Sequence, residues 1–503
     1  MTSQTVLISE LMSVSGVGFG TSGARGKVED MTDRVCYAYA RAFLQHLSEI
    51  GDIQPGTAIA LAGDFRPSSS RIMAAVAAAI EDANYKLVNC GTIASPAVAS
   101  FGIEHGLPSI MVTGSHIPDD RNGIKFNKSS GEILKPDEEG IRKQHVALPT
   151  AKFTEAGDFI NAYDLPEVDE RAYSEYIKRY TDFFGSDCLK GLKIGVYEHS
   201  SVLRQALSDV ITKLGAEVIK LGFSEKFIPV DTEAVREEDV KLASQWSQEY
   251  QFDAIVSADG DGDRPLISDE QGEWLRGDIV GIIAADYLKA NIIATPVSCN
   301  SAVEKCGRFD EVKRTRIGSP YVIAAMQEAQ EQYGAKIIIG YEANGGFLTQ
   351  TMIEMEGRKL SALPTRDAIL PMLAIIAASK QAGCTISALQ KSLPARYTYS
   401  DRLKEFPTEI SQARLAEFID SDTATALVMV NQFLGEDFSP AMQLDSTDGV
   451  RFTLENEEVV HIRPSGNAPE LRCYTESDTT DRAKALNDRA MKRIMAWRDL
   501  PQA

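Results

Sequence analysis

Three carboxylates alternate with glycine in the run Asp259-Gly-Asp261-Gly-Asp263-Arg264. Held together they repel: at ~4 Å and an effective dielectric of about 20, each unit-charge pair costs about 4 kcal/mol. A divalent cation relieves that repulsion, and an all-carboxylate donor set suits Mg²⁺ or Ca²⁺. The glycines let the loop curl so that the three side chains converge. The spacing also matches an EF-hand, with Glu270 at its last ligand position. That loop, however, needs glycine where Arg264 stands, and the preceding Phe252–Ser257 reads as a strand, not a helix. A solvated acidic turn is the plain alternative.

A second candidate is Thr113-Gly114-Ser115-His116-Ile117-Pro118, directly after the β-prone run Ser109–Val112. A serine at a strand end beside glycine is approachable. The Gly-x-Ser-x-Gly elbow of an α/β-hydrolase is absent. Just downstream, Asn122-Gly123 predicts a tight turn, and Arg121 and Lys125 bring positive charge near Ser115. Far along the chain, Arg463-Pro-Ser465-Gly466-Asn467-Ala-Pro469-Glu-Leu-Arg472 gathers two guanidinium groups, a hydroxyl, an amide and flexible backbone donors. Those are the groups that hold a phosphate dianion. The run Gly340-Tyr-Glu342-Ala-Asn344-Gly-Gly346 offers a carboxylate and an amide to sugar hydroxyls, and Gly20–Gly26 can bring Arg25 to an anion. Each of these, taken alone, is equally an ordinary turn.

Such loops need a scaffold, and the hydrophobic pattern supplies one. Thr57–Ala62 reads as a strand, Arg71–Ala83 as a helix that Ser68 or Ser69 can cap, and Lys86–Cys90 as a second strand. The unit recurs as Lys193–Tyr197, Val202–Leu214 and Glu217–Leu221, and again as Ala294–Ser298, Ala302–Cys306 and Val312–Thr315. Three related α/β sheet domains follow from this. The remainder reads as a smaller C-terminal α+β domain, with strands at Ala426–Val430, Val450–Leu454, Val459–Ile462 and Leu471–Tyr474 and a helix over Thr479–Trp497. Linkers are expected around Thr150–Glu167 and Gln381–Pro394. A helix from Thr32 to Ile50 stacks Val35, Tyr39, Phe43 and Leu47 on one face.

Composition narrows the partners. The 503 residues suggest about three to four domains, and 44% apolar with 25% charged residues is ordinary globular usage. With 72 acidic against 52 basic residues the net charge is −20, which repels a phosphate backbone and argues against nucleic acid. Seven scattered cysteines without a Cys-x-x-Cys pair argue against a disulfide framework or a zinc site. No apolar run is long enough to span a bilayer, and the first residues lack signal-peptide character. A cytoplasmic protein that binds neither membrane nor nucleic acid is expected.

In this order, from about Val17 to Arg472, the motifs resemble the α-D-phosphohexomutase family of phosphomannomutases and phosphoglucomutases. The resemblance implies four domains around a central cleft. Their expected bounds are 1–155 with a phosphoserine loop, 156–293 with a metal loop, 294–388 with a sugar-recognition loop and 389–503 with a phosphate-binding loop. It implies that Ser115 carries the transferred phosphate, and that Asp259, Asp261 and Asp263 hold Mg²⁺ with the Ser115 phosphate as a further ligand. Arg25, Lys125, His116 and Arg264 then serve the reacting phosphoryl group. Glu342 and Asn344 read the sugar, and Arg463, Ser465, Gly466, Asn467 and Arg472 grip the other phosphate. The implied reaction interconverts hexose 6-phosphate and hexose 1-phosphate through a hexose 1,6-bisphosphate, in a monomer or homodimer. Mannose phosphates, feeding GDP-mannose biosynthesis, come first. Phosphoglucomutase, phosphoglucosamine mutase and a non-catalytic calcium- or sugar-binding module are the alternatives. Asn344 in place of the family's usual serine, Gly346 in place of a frequent histidine, and Asn467-Ala468 in place of Thr-Glu all bear on which sugar is read.

Overall fold

The computed structural model describes residues 3–20, 23–465 and 469–498. Its first sheet places Lys86–Thr92, Ala58–Gly63 and Ser109–Val112 side by side and parallel, and Arg121–Lys128 joins them antiparallel, with Gly23–Lys27 and Gly18–Phe19 beyond it. The second repeats that order with Glu217–Phe223, Lys193–His199, Ala254–Ala258 and antiparallel Pro265–Ile267. The third repeats it with Glu311–Thr315, Ile292–Pro296, Ile338–Tyr341 and antiparallel Phe347–Thr349. In all three, the connection after the third strand leaves the carboxyl edge of the parallel strands, where open α/β sheets place their ligands. Those three connections are the Ser115 loop, the Asp259 loop and the Glu342 loop. The internal repeat therefore presents three different chemistries from one topological position.

The fourth unit is an antiparallel sheet of Tyr397–Leu403, Leu471–Ser477, Val459–Pro464, Val450–Leu454 and Ala441–Asp445. The helix Thr480–Met495 covers it, capped by the Thr479 hydroxyl, which accepts from Arg482 N–H. Its apolar core, built on Phe406, Phe452, Ile462, Leu471 and Leu486, is separate from the cluster that runs through the second and third units and into the first. No helix among the described residues is long and apolar enough to cross a membrane.

Several local expectations change. Ala426–Val430 belongs to the helix Thr423–Leu434, not to a strand. Asp422 caps that helix, and Ala426, Val430 and Leu434 are buried at four-residue spacing, so the apolar run follows helical rather than alternate periodicity. Asn122-Gly123 makes no turn. It lies inside the strand Arg121–Lys128, where the buried Asn122 amide donates to the hydroxyls of Ser68 and Ser69. The helix after Ala58–Gly63 starts at Ser69, and Ser68 makes no side-chain cap. The stretch around Gln381–Pro394 contains a helix, Ile386–Lys391, capped by Thr385. The Thr32 helix forms as expected over Asp33–Glu49, with the Thr32 hydroxyl accepting from Val35 N–H.

Candidate active site

Ser115 lies in the turn that follows the strand Ser109–Val112. It is buried and sits at φ 57°, in the left-handed region that a side chain rarely adopts. Its hydroxyl donates to Asp259 Oδ2 at 2.7 Å and lies 3.3 Å from His116 Nδ1. The two loops touch through their backbones as well. A Cβ placed on Gly260 would stand 2.7 Å from the Ser115 carbonyl oxygen, so glycine is required for that approach.

Asp259, Asp261 and Asp263 are all buried, and one oxygen from each falls within 4.8 Å of the others. Lys125 donates to Asp261 Oδ2 and Asp263 Oδ2, both at 2.6 Å. The opposite oxygens, Asp261 Oδ1 and Asp263 Oδ1, are buried without a hydrogen-bond partner among the described residues. Orphaned carboxylate oxygens in a converging triad fit a hard divalent cation, and a donor set of oxygens alone suits Mg²⁺. The triad also sets the local titration. Burial, then Asp261 and Asp263, hold the Asp259 carboxyl far above the usual range. Burial acts the same way on Asp261, but Lys125, Ser95 and Arg264 overrule it and hold that carboxyl below the usual range. The EF-hand alternative fails here: Asp259 follows a strand, and the Glu270 carboxylate is taken by Ser387, whose hydroxyl donates at 2.5 Å.

Around this centre the cations gather. Arg25, paired with Gly123 between neighbouring strands, has its guanidinium pushed down to about 10 by burial and then by Arg264. Burial, then Arg264 and Arg25, drive His116 down to about 2, so its imidazole is neutral. Arg264 Nε stands 3.9 Å from Asp259 and 3.8 Å from Asp263.

The Glu342 loop reaches the same centre. Gly345 abuts Pro265, two residues beyond Asp263, and the Asn344 carbonyl accepts from Thr232 at 2.6 Å. Glu342 is buried and accepts from Arg366 Nε at 2.5 Å, and Arg366 also feels Asp263. In the C-terminal unit Arg463 and Arg472 are register partners on adjacent strands. Arg463 pairs with Asp448 at 3.2 Å, and Arg472 lies 3.4 Å from Glu470. Arg472 and Arg264 both act electrostatically on Glu233. Ser465 is buried, and its amide donates to the Glu470 carbonyl at 2.8 Å. Gly466 and Asn467 lie outside the described residues.

Asp64 and Arg66 lie between the strand Thr57–Ala62 and the helix Arg71–Ala83 predicted from sequence, and neither they nor Ser95 or Arg366 belong to a sequence motif. Ser95 donates to Asp261 Oδ2 at 2.8 Å. The Arg66 guanidinium donates to the carbonyls of Ser115, Ile117, Pro118 and Arg121, which clamps the Ser115 loop. The one available signal was an Asp-x-Arg on a strand-end loop, which is common. Arg366 gave no signal at all, because its role depends on a sheet that brings residues 342 and 366 together.

Family models cover almost the whole chain. They are the phosphoglucomutase/phosphomannomutase α/β/α domain I over residues 16–148, domain II over 171–272, domain III over 276–397 and the C-terminal domain over 420–493. A phosphomannomutase from Salmonella muenchen is 43% identical over 96% of this chain and 97% of its own. One from Sinorhizobium fredii is 42% identical over 94% and 97%. A crystal structure of a phosphoglucomutase/phosphomannomutase family protein from Burkholderia thailandensis superposes with a TM-score of 0.72 at 19% identity, covering 95% of this chain and 97% of that one.

Proposed function

Because the chain belongs to the phosphoglucomutase/phosphomannomutase family, we propose that it interconverts mannose 6-phosphate and mannose 1-phosphate, with Ser115 as the phosphoryl carrier. The observation that carries this reading is the contact of the Ser115 hydroxyl with Asp259 of the aspartate triad, 2.7 Å apart, with Lys125 bonded to the other two aspartates. Phosphorylated Ser115 bears about −1.5 to −2 charge, and a sugar phosphate brings as much again. In a chain of net charge −20 the two can meet only where cations are concentrated, and Arg25, Lys125, Arg264 and Arg366 supply that concentration.

A sugar hydroxyl attacks the seryl phosphorus. The new P–O bond forms as the bond to Ser115 Oγ breaks, and the proton of the attacking hydroxyl ends on the departing Ser115 Oγ, which leaves as the serine hydroxyl. The hexose 1,6-bisphosphate then turns round and returns its other phosphoryl group to Ser115. Lys125 and Arg25 spread the charge of the transferring group, and His116 and Arg264 border its position. Mg²⁺ held by Asp259, Asp261 and Asp263 supplies further neutralisation of that charge. Arg463, Ser465, Gly466, Asn467 and Arg472 hold the phosphate that is not reacting. Guanidinium groups grip a phosphate whichever sugar carbon bears it. Glu342 and Asn344 read ring hydroxyls common to both orientations.

The mannose assignment follows the named relatives, and GDP-mannose biosynthesis is a consumer suited to mannose 1-phosphate. The test is a coupled assay of mannose, glucose and glucosamine 1-phosphates with a hexose 1,6-bisphosphate present. The highest kcat/KM is expected with mannose 1-phosphate. Turnover of none of the three sinks the reading, and preference for another sugar reassigns the substrate.

Metal binding has its own readout. A cation at about 100 times its Kd stabilises the folded protein by about 2.7 kcal/mol. Calorimetry should show Mg²⁺ raising the first unfolding transition of the native protein, and Asp261→Asn should lose that rise. A shift retained in the variant would place the cation elsewhere.

A further inference from the structure

We propose that Asp448 is a positioning residue of the phosphate grip: it orients Arg463 and makes the grip depend on docking of the C-terminal unit against the third sheet unit. The proposal rests on the phosphohexomutase reading and adds to it a coupling between grip and domain contact. The Asp448 carboxylate is shared across the two units. Its Oδ1 takes Arg463 Nε at 3.2 Å, and its Oδ2 accepts the Ile317 N–H of the third unit at 2.9 Å. The residue is locked in place. Its carbonyl accepts from His461 Nε2 at 2.6 Å, and the neighbouring Thr447 carbonyl accepts from Arg316 Nε at 3.2 Å. The turn is also pressed onto the backbone it serves. Gly449 sits at φ 72°, and a Cβ there would lie 2.3 Å from the Ile462 carbonyl oxygen and 2.6 Å from Arg463 Cβ.

The bond through Nε fixes the plane of the Arg463 guanidinium and so the direction of its planar donor fork. The two units keep separate apolar cores, and polar contacts of this kind join them: Ser301 with Glu476, Asn300 with the Arg396 carbonyl, and Lys305 with Glu457. Interfaces of that character allow relative motion. A rotation that withdraws the Ile317 N–H leaves the Asp448 carboxylate free to leave Arg463. Grip and docking then loosen together, as the turning of a bisphosphate requires.

Asp448→Asn keeps an acceptor for Ile317 but removes the charge that faces Arg463. It should raise KM for hexose phosphate about tenfold, the size of one charge-assisted hydrogen bond. The Ki for inorganic phosphate should rise in parallel, with kcat within about threefold of the native value. In an Arg463→Ala background the same change should add nothing to KM. Arg316→Ala, at an exposed position outside the grip, should raise KM about threefold by weakening the docking alone. Unchanged KM and Ki in Asp448→Asn, or a fully additive effect in the Arg463→Ala background, overturns the proposal. Calorimetric titration with inorganic phosphate reads the Asp448 effect without turnover. A native protein that binds phosphate but converts no hexose phosphate therefore counts against the mutase reading and not against this coupling.

Discussion

Ser115→Ala should lower turnover of hexose 1-phosphate by about 10⁴-fold or more, because it removes the only atom proposed to carry the phosphoryl group. The expectation is specific because the fold loses little with that hydroxyl. Its donation to Asp259 and the contact with His116 together represent about 1 kcal/mol of net stability. The alanine variant should therefore unfold within a few degrees of the native protein and bind inorganic phosphate normally. Intact-mass measurement should show a fraction of the native protein heavier by one phosphoryl group, absent from the variant. The φ of 57° adds a second, opposite expectation. A non-glycine residue held there stores about 1–2 kcal/mol. Ser115→Gly should thus be as inactive as the alanine variant yet more stable than it. A glycine variant no more stable than the alanine variant would remove strain from the account of this loop. Residual turnover near the native rate in either variant would remove Ser115 from the chemistry.

The candidate site is legible in the sequence because of the repeated topology. Each of the three α/β units ends its parallel run on a loop, and each loop carries its chemistry within a few consecutive residues: Thr113–Ser115, Asp259–Asp263 and Glu342–Asn344. Local strings of that kind survive in a one-dimensional reading. The strand–helix–strand units survived for the same reason, since Ile59, Leu61, Ile194 and Val196 sit on buried strands flanked by amphipathic helices. What depends on tertiary neighbours did not survive. The alternation that should mark a strand is missing from Ala426–Val430, and only the Asp422 cap and the four-residue burial period separate it from one. Asn122-Gly123 carries a turn signal that the sheet overrides, because the Asn122 amide is consumed by Ser68 and Ser69 at the start of a distant helix. Arg366, Ser95 and Asp448 act on partners 24, 166 and 15 residues away, and no spacing rule announces such pairs.

Arg66 is the largest of these hidden contributors, and Arg66→Met should cost both stability and turnover. Its side chain and that of Asp64 are fully buried as an ion pair at 3.1 Å. Asp64 in turn accepts from the hydroxyls of Ser69 and Thr113, and Thr113 accepts the Ser115 N–H. Removing the guanidinium leaves a buried carboxylate without its counter-charge, a change that typically costs about 3–5 kcal/mol. It also takes the guanidinium from four carbonyls, of which Pro118 keeps the Arg121 N–H, and takes away the cation that stacks 4.0 Å above Phe227. Phe227 packs where a Cβ on Gly260 would lie, so the clamp reaches from the Ser115 loop to the aspartate loop. A displacement of the carrier hydroxyl by about 1 Å is enough to lower kcat by about 10²-fold. The two losses can be separated. In Asp64→Asn/Arg66→Met the buried charge is gone, so calorimetry should show much of the stability restored. The loop carbonyls remain without the guanidinium that gathers them, so kcat should stay low. Arg66→Lys should also fail to restore turnover, because an ammonium cannot span four divergent acceptors. A double variant that regains both stability and kcat would show that the clamp serves only to balance Asp64. Stability regained without kcat would show that the geometry of the carrier loop is what Arg66 maintains.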